Sequence, residues 1–419
     1  MCLTRPQIRL GLCLMLIAGE AYGVSGTVDY RFKGSISREV LENYLARSIT
    51  MAELYRSPGN LDDDIRMLKN IGAKFVGRSI YLWGGEARIA NPQFLAQGRE
   101  MAARIHRHDP DVALEACVFE IVTQQVGKVP VPAWVFKEFG LPVETRNFDY
   151  SKMLSPSKHN VDHWGQGSSV PDIRQNETKM WFYFLSASYM NIGIEALHFG
   201  QLDLVGSEDP SNWNWADLLK RVRAYAAKKA RRHFVLCDAH VPKGGPVVDG
   251  RLLLDFHAFP LRPKEVADSP RKTILQAGYS DAFYGRSNGG VAPSGWKCDR
   301  LPYLVEFDNF GGTPTPGQAS QTRSASIFAW GYDEITWFAQ QPEAYRNEWL
   351  RYAWNWLKEH DRNGFLEMPG SRMLTNGPPN AGDGGRANWY FANTQSPACP
   401  RGFSQEETIK TIWLEDSKK

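Results

Sequence analysis

Two carboxylates two residues apart, Glu306 and Asp308, end the run LPYLVEFDNFGG at 301–312. Side chains alternate along a strand, so both fall on one face. A Pro just inside the start, a β-branched and aromatic middle and a closing Gly pair predict a buried parallel strand that stops in a loop. Two carboxyl groups flanking a glycosidic bond can hydrolyse it. One protonates the leaving oxygen; the other, ionised, acts as nucleophile or as base for water. Glu306 is the candidate ionised partner, with Asp308 beside it. Glu120 is the preferred proton donor and Asp238 the next.

Other polar residues gather near the C-terminal ends of strand-like runs. They are Arg78, Glu120, His198, Gln201, Asp203, Asp238, His240, Asp255, His257 and Glu367. Burying such groups unpaired costs several kcal/mol, and the rim of a barrel is where they are tolerated. Arg78, His198, Gln201, His240, Asp255 and His257 are therefore candidates for substrate contact. Glu115 and Glu195 lie early in their strands and are expected to be structural, paired with Arg or Lys on the outer or lower face. Asp238-Ala-His240 and Asp255-Phe-His257 leave a second chemistry open: two Asp/His pairs on adjacent strands could hold a divalent metal for deacetylation or amide cleavage. A third reading is a barrel that binds carbohydrate without cleaving it.

The elements that must position these residues alternate. Helix patterns cover 60–72, 94–108, 177–193, 213–232 and 405–413. Strand patterns cover 48–55, 74–83, 113–122, 194–206, 233–241, 252–260, 301–312 and 364–369. Asn60 as N-cap, acids in the first turn and Gly72 at the end mark one helix in detail. Eight strands, most followed by a helix, predict a parallel sheet and, at this length, an α/β (β/α)8 TIM barrel of one domain with long loops on its C-terminal face. The loops at 130–176 and 261–300 are expected to roof the cleft. Trp83, Trp164 and Trp296 are candidate platforms for sugar rings, or packing residues. There is no GxGxxG after the first strand and no P-loop, so a nucleotide-binding open sheet loses its main support.

On these residues the chain resembles exported (β/α)8 glycoside hydrolases. In the large barrel clan with acids after strands 4 and 7, the strand-4 acid follows an Asn. Here that stretch reads HFGQLDL, with Gln201 where the Glu would fall; Glu306 is compatible with the nucleophile position after strand 7. The resemblance implies a polysaccharide or oligosaccharide substrate and requires no cofactor.

The 419 residues are 42% hydrophobic and 23% charged, ordinary for a globular protein. A formal charge of +3 without a basic block disfavours nucleic acid as a partner. Fourteen Trp and sixteen Tyr are many for this length; such side chains fill cores and also form flat platforms on which sugar rings stack. Residues 1–25, with Arg5 and Arg9 before LGLCLMLIAG and small residues after, have the pattern of a secretory leader, leaving 26–419 as the exported domain. No other stretch is long and apolar enough to span a bilayer. Of the six Cys, Cys117, Cys237, Cys298 and Cys399 lie beyond the leader; Cys298 and Cys399, in Gly/Pro/Ser-rich loops, are the expected bridge. No CxxC or HExxH signals a zinc site.

Overall fold

The computed structural model describes residues 28–416 except 58, 267–268, 280–281, 310–333 and 375–388. The leader at 1–25 lies outside the described residues. Among those described, no helix is long and apolar enough to cross a membrane.

The fold is mixed α/β with a large curled parallel sheet. Its strands are β1 (Ser48–Met51), β2 (Phe75–Tyr81), β3 (Ala113–Cys117), β4 (Ala196–Gln201), β5 (Leu236–His240), β6 (His257–Pro260) and β7 (Tyr303–Glu306). The eighth, β8, is made of Gly364–Leu366 and Met368–Met373. Each strand pairs in parallel with the next in sequence, for example Ile49 with Val76, His198 with Asp238 and Phe259 with Val305. The first part of β8 pairs with β7, Leu304 opposite Phe365. Its second part pairs with β1, Ile49 opposite Met368. A final strand, Trp389–Phe391, adds antiparallel to β8.

Helices α1 (Arg38–Leu45), α2 (Leu61–Ile71), α3 (Pro92–His108), α4 (Asn176–Met190), α5 (Trp213–Lys229), α6 (Glu343–His360) and α7 (Glu406–Asp416) complete the frame. In α2 the Asn60 side chain accepts from the Asp62 and Asp63 N–H groups, and Gly72 ends the helix in the left-handed conformation, as its sequence predicts. Outward strand residues such as Val76, Ile80, Leu114 and Val305 pack with helix residues such as Leu68, Ile105, Val222 and Leu357. α4 is buried almost all round, because α5 lies on one side and loop aromatics such as Phe148, 5.0 Å from Trp181, cover another.

A second apolar cluster fills the N-terminal end of the sheet: Phe75, Ala113, Ala196, Leu236, Phe256 and Leu304 meet Phe32, Ile36, Val40 and Tyr44 of the entry segment and α1. This plug seals one end and leaves polar side chains to the other.

Three expectations fail here. Trp296 is not near the cleft: its Nε1 donates to the Ile36 carbonyl at 3.1 Å, beside the plug. The hairpin that carries it is drawn to that end, where Ser294 accepts from the Ile36 N–H, and none of the described residues of 261–300 lines the cavity. Cys298 and Cys399 are free thiols, as are Cys117 and Cys237. Cys298 belongs to that lower hairpin, whereas Cys399 packs with Ala52, Trp389 and Phe391 beyond the end of β1. The bridge has no geometry to form.

Candidate active site

A cavity of about 690 Å³ opens at the C-terminal ends of the strands. Aromatic side chains wall it: Trp83, Phe119 and Trp164 sit edge to face at 5.2–5.3 Å, with Tyr81 and Trp389 alongside. Three carboxyls line it, Glu53 just after β1, Glu120 three residues beyond β3, and Asp308 two residues beyond β7. Arg56, Arg78, Arg88 and Arg372 line it too, as do His198, Gln201 and His240.

The backbone is bent to bring these groups in. Arg78 lies inside β2 with φ +56°, and the pairing with β3 skips from Val76 to Ile80 around it. Left-handed φ costs a non-glycine residue roughly 1–3 kcal/mol. The site offsets this: the Arg78 N–H donates to Glu115 Oε2 at 3.0 Å, and the guanidinium grips Glu306. Glu53 also takes φ +54°, and Gly200 takes +51°. At Gly200 a Cβ would lie 2.0 Å from Glu120 Oε2, so glycine is what lets the Glu120 carboxyl settle over β4. There Glu120 accepts from the Gln201 side chain at 2.9 Å and the Gln201 backbone N–H at 3.1 Å. The Trp164 indole donates to the Glu120 carbonyl at 3.3 Å, tying the long loop to the same residue.

Glu306 is 2% exposed and does not line the cavity. Its Oε2 accepts from Arg78 Nε at 2.8 Å and Arg372 Nη1 at 2.7 Å; its Oε1 accepts from His240 Nε2 at 2.6 Å and from Arg78 Nη2. Four donors occupy the four lone-pair sites of one carboxylate, and none is left to attack a sugar. Burial pushes this carboxyl up, but the two guanidiniums and His240 outweigh it and hold it well below the usual range. The sequence reading of Glu306 as the reacting group is corrected on this ground: it anchors the two arginines. Asp308, on the same face, reaches the cavity. Its Oδ1 accepts from Arg372 Nη2 at 2.7 Å and from the Asn309 N–H at 2.8 Å. Its own N–H is held at 3.1 Å by the buried Glu334.

Beneath the floor lies a polar layer. His198 Nδ1 and Asp238 Oδ2 share a hydrogen bond of 2.7 Å, and His198 alone of the two lines the cavity. Burial, with Arg78 nearby, pushes His198 down to about 3, so the ring is neutral. Burial, with Asp238 adjacent, pushes Glu115 well above the usual carboxylate range; burial does the same to Asp238 and Glu367. Asp238 is thus a buried partner of His198 rather than a carboxyl facing substrate. Glu115 likewise departs from expectation, pointing into this layer and not to an outer ion pair. Glu195 conforms, bound by Arg231 at 2.8 Å and Arg232 at 2.6 Å. The donor atoms of Glu115, His198 and Asp238 lie within 4.8 Å of one another and are the described residues that could hold a metal ion.

Asp255 and His257 leave the site altogether. Asp255 precedes β6 and turns outward, accepting from Arg223 of α5 at 2.9 Å and from the Cys237 N–H at 2.9 Å. His257 bonds Ser287 at 2.8 Å. The Asp/His pairs suggested by sequence do not meet. Glu53, Arg88, Glu334 and Arg372 were missed. Arg372 follows Pro369 and Gly370, which read as a strand's end, although the alternation SRM continues beyond them. Glu53 falls within the run 48–55 expected as a strand, but β1 stops at Met51 and Glu53 sits in the turn beyond it.

No family model matches the chain, and no curated protein does. Among solved structures it is similar to an α-galactosidase from Thermus thermophilus, at 15% identity and TM-score 0.31 over 51% of this chain and 40% of that one. An isomalto-dextranase from Arthrobacter globiformis T6 gives 10% identity and TM-score 0.34 over 71% and 46%. A GH27 β-L-arabinopyranosidase from Geobacillus stearothermophilus gives 12% identity and TM-score 0.36 over 88% and 70%. The chain thus spans less than half the length of the first two.

Proposed function

We propose that this protein is an exported (β/α)8-barrel hydrolase that cleaves glycosidic bonds in an oligosaccharide or polysaccharide. The return of the strand pairings to β1 through the two parts of β8 supports closure into a barrel. The observation that carries the reading is that Glu120 and Asp308 line one aromatic-walled cavity; their strands, β3 and β7, are four apart in the order of pairing, which in a closed ring of eight would set them on opposite sides of it. Glu120, oriented by Gln201, protonates the leaving oxygen. Asp308, held by Arg372, acts as nucleophile or as base for water. Trp83 and Trp164 offer apolar faces and edges to the sugar rings.

The test is turnover of a panel of oligosaccharides by Glu120→Gln and Asp308→Asn. Each variant should fall by about 10²–10⁴-fold. Glu120→Gln should retain activity on aryl glycosides whose phenol leaves without protonation. Full activity in both variants overturns the reading. Export is tested by the N-terminus of the protein recovered outside the cytoplasm, expected just after residue 25; recovery with Met1 intact overturns it.

One observation favours a second reading, metal-assisted hydrolysis: Glu115, His198 and Asp238 converge. Stoichiometric divalent metal in the purified protein, with activity lost to a chelator and restored by that metal, would move the chemistry to His198.

A further inference from the structure

We infer that Arg88 forms a subsite for an anionic group on the substrate, so that the sugar chain carries a uronic acid carboxylate or a sulfate ester. The inference rests on the cavity being a carbohydrate site and names the class of carbohydrate.

Three of the four cavity arginines have carboxylate partners: Arg56 holds Glu53, Arg78 holds Glu306, and Arg372 holds Glu306 and Asp308. Arg88 pairs with no carboxylate among the described residues; its one side-chain partner is the Tyr55 hydroxyl, which accepts from Nη1 at 3.2 Å. Its Nε is shut off from water without a hydrogen-bond acceptor. An unpaired buried donor costs free energy, and a guanidinium presents its donors as a planar fork that matches carboxylate and sulfate oxygens.

The subsite is built rather than incidental. Arg88 lies in a short 3-10 helix, Glu86–Ala90, on the loop that also carries Trp83. Buried Glu86 pins that loop by accepting from the Thr123 N–H at 2.8 Å and the Thr123 hydroxyl at 2.5 Å. Gly84 and Gly85 both take φ +65°, which lets the loop double back. The guanidinium is therefore fixed beside the aromatic wall before any ligand arrives. Arg56 is neutralised by Glu53 beside it, whereas Glu86, on the same short helix as Arg88, is turned to Thr123 and makes no ion pair with it.

The experiment measures binding by the full-length protein, as Glu120→Gln so that turnover does not interfere. The probes are a uronate-containing oligosaccharide and its carboxyl-reduced form, and a sulfated oligosaccharide and its desulfated form. One acidic probe is expected to bind about 10- to 100-fold more tightly than its neutral twin. The preferred pair tells carboxylate from sulfate. Adding Arg88→Met should bring the ratio close to one with the unfolding midpoint unchanged, and Arg88→Lys, which keeps the charge but loses the fork, should leave an intermediate ratio. Equal binding of acidic and neutral twins, or an Arg88→Met protein that keeps the preference, overturns the inference. Acid-selective binding that depends on Arg88, without hydrolysis by the unmutated protein, would sink the hydrolase reading and leave this one standing. Cleavage of neutral chains alone would do the reverse.

Discussion

Replacing Glu306 by Gln tests the account of the site's foundation. The substitution keeps the shape and removes the charge. Gln has one acceptor oxygen, and its amide N–H₂ would face the donors of Arg78 or His240. Arg372 would keep Asp308, but the buried Arg78 guanidinium would keep no carboxylate partner and at most one neutral acceptor at position 306. Breaking a buried ion pair by removing one partner costs about 3–5 kcal/mol. A chain of 419 residues has an unfolding entropy of roughly 0.9 kcal/mol/K, so the midpoint should fall by about 3–6 °C. Turnover should fall as well, by about 10- to 100-fold, because Arg372 loses the partner that fixes it beside Asp308. The pH dependence carries a second signature. The folded protein holds the Glu306 carboxyl well below its ordinary 4.5. Its stabilisation is therefore present above about pH 4.5 and is lost as pH falls through the folded value. Denaturant unfolding from pH 3 to 7 should show that acid loss diminished in the variant. A Glu306→Gln protein as stable as the parent, with the same acid limb, would refute the clamp.

Other expectations follow from single residues. Gly200→Ala places a methyl on the Glu120 carboxylate and forces a left-handed alanine; stability should drop by about 1–3 kcal/mol and turnover by 100-fold or more, and turnover within twofold of the parent would count against Glu120. Trp83→Ala removes a half-exposed wall of the cavity; KM for oligosaccharide should rise about tenfold while stability changes by about 1 kcal/mol or less, which substrate titration and urea unfolding can check. Glu367 is neutral in the fold and charged when unfolded, its folded pKa being raised above the ordinary 4.5. The stability it contributes below pH 4.5 is lost as pH rises toward the folded value, so Glu367→Gln should gain on the parent between pH 5 and 8; parallel pH curves would reject the neutral assignment.

The order of strands and helices was legible because runs such as ALEAC and YLVE carry strand residues between strong stop signals, and because Asn60 and Gly72 cap α2 by local chemistry. The convergence of Arg78, Glu120, His198, Gln201, His240 and Asp308 on one cavity followed from strand ends alone. What sequence did not give was depth. Glu306 and Asp308 share a face, yet two residues of rise separate a saturated anchor from a group in contact with the cavity. Asp255 reads as part of a strand with His257, but β6 begins only at His257, and Arg223 draws Asp255 outward. Trp296 sits in a loop as its composition suggests; which end of the sheet that loop visits is decided by Ile36 and Ser294, 258 positions apart.

Residues 364–373 have a bearing on synthesis. Residues 364–366 pair with β7 and residues 368–371 with β1, and both segments follow the seven other parallel strands in the chain. A nascent chain emerging from the ribosome must hold two bare strand edges until this stretch appears, and bare edges invite pairing with other chains. Products truncated before residue 364 should therefore burden chaperones and proteases, whereas chains that extend past residue 373 can cover both edges.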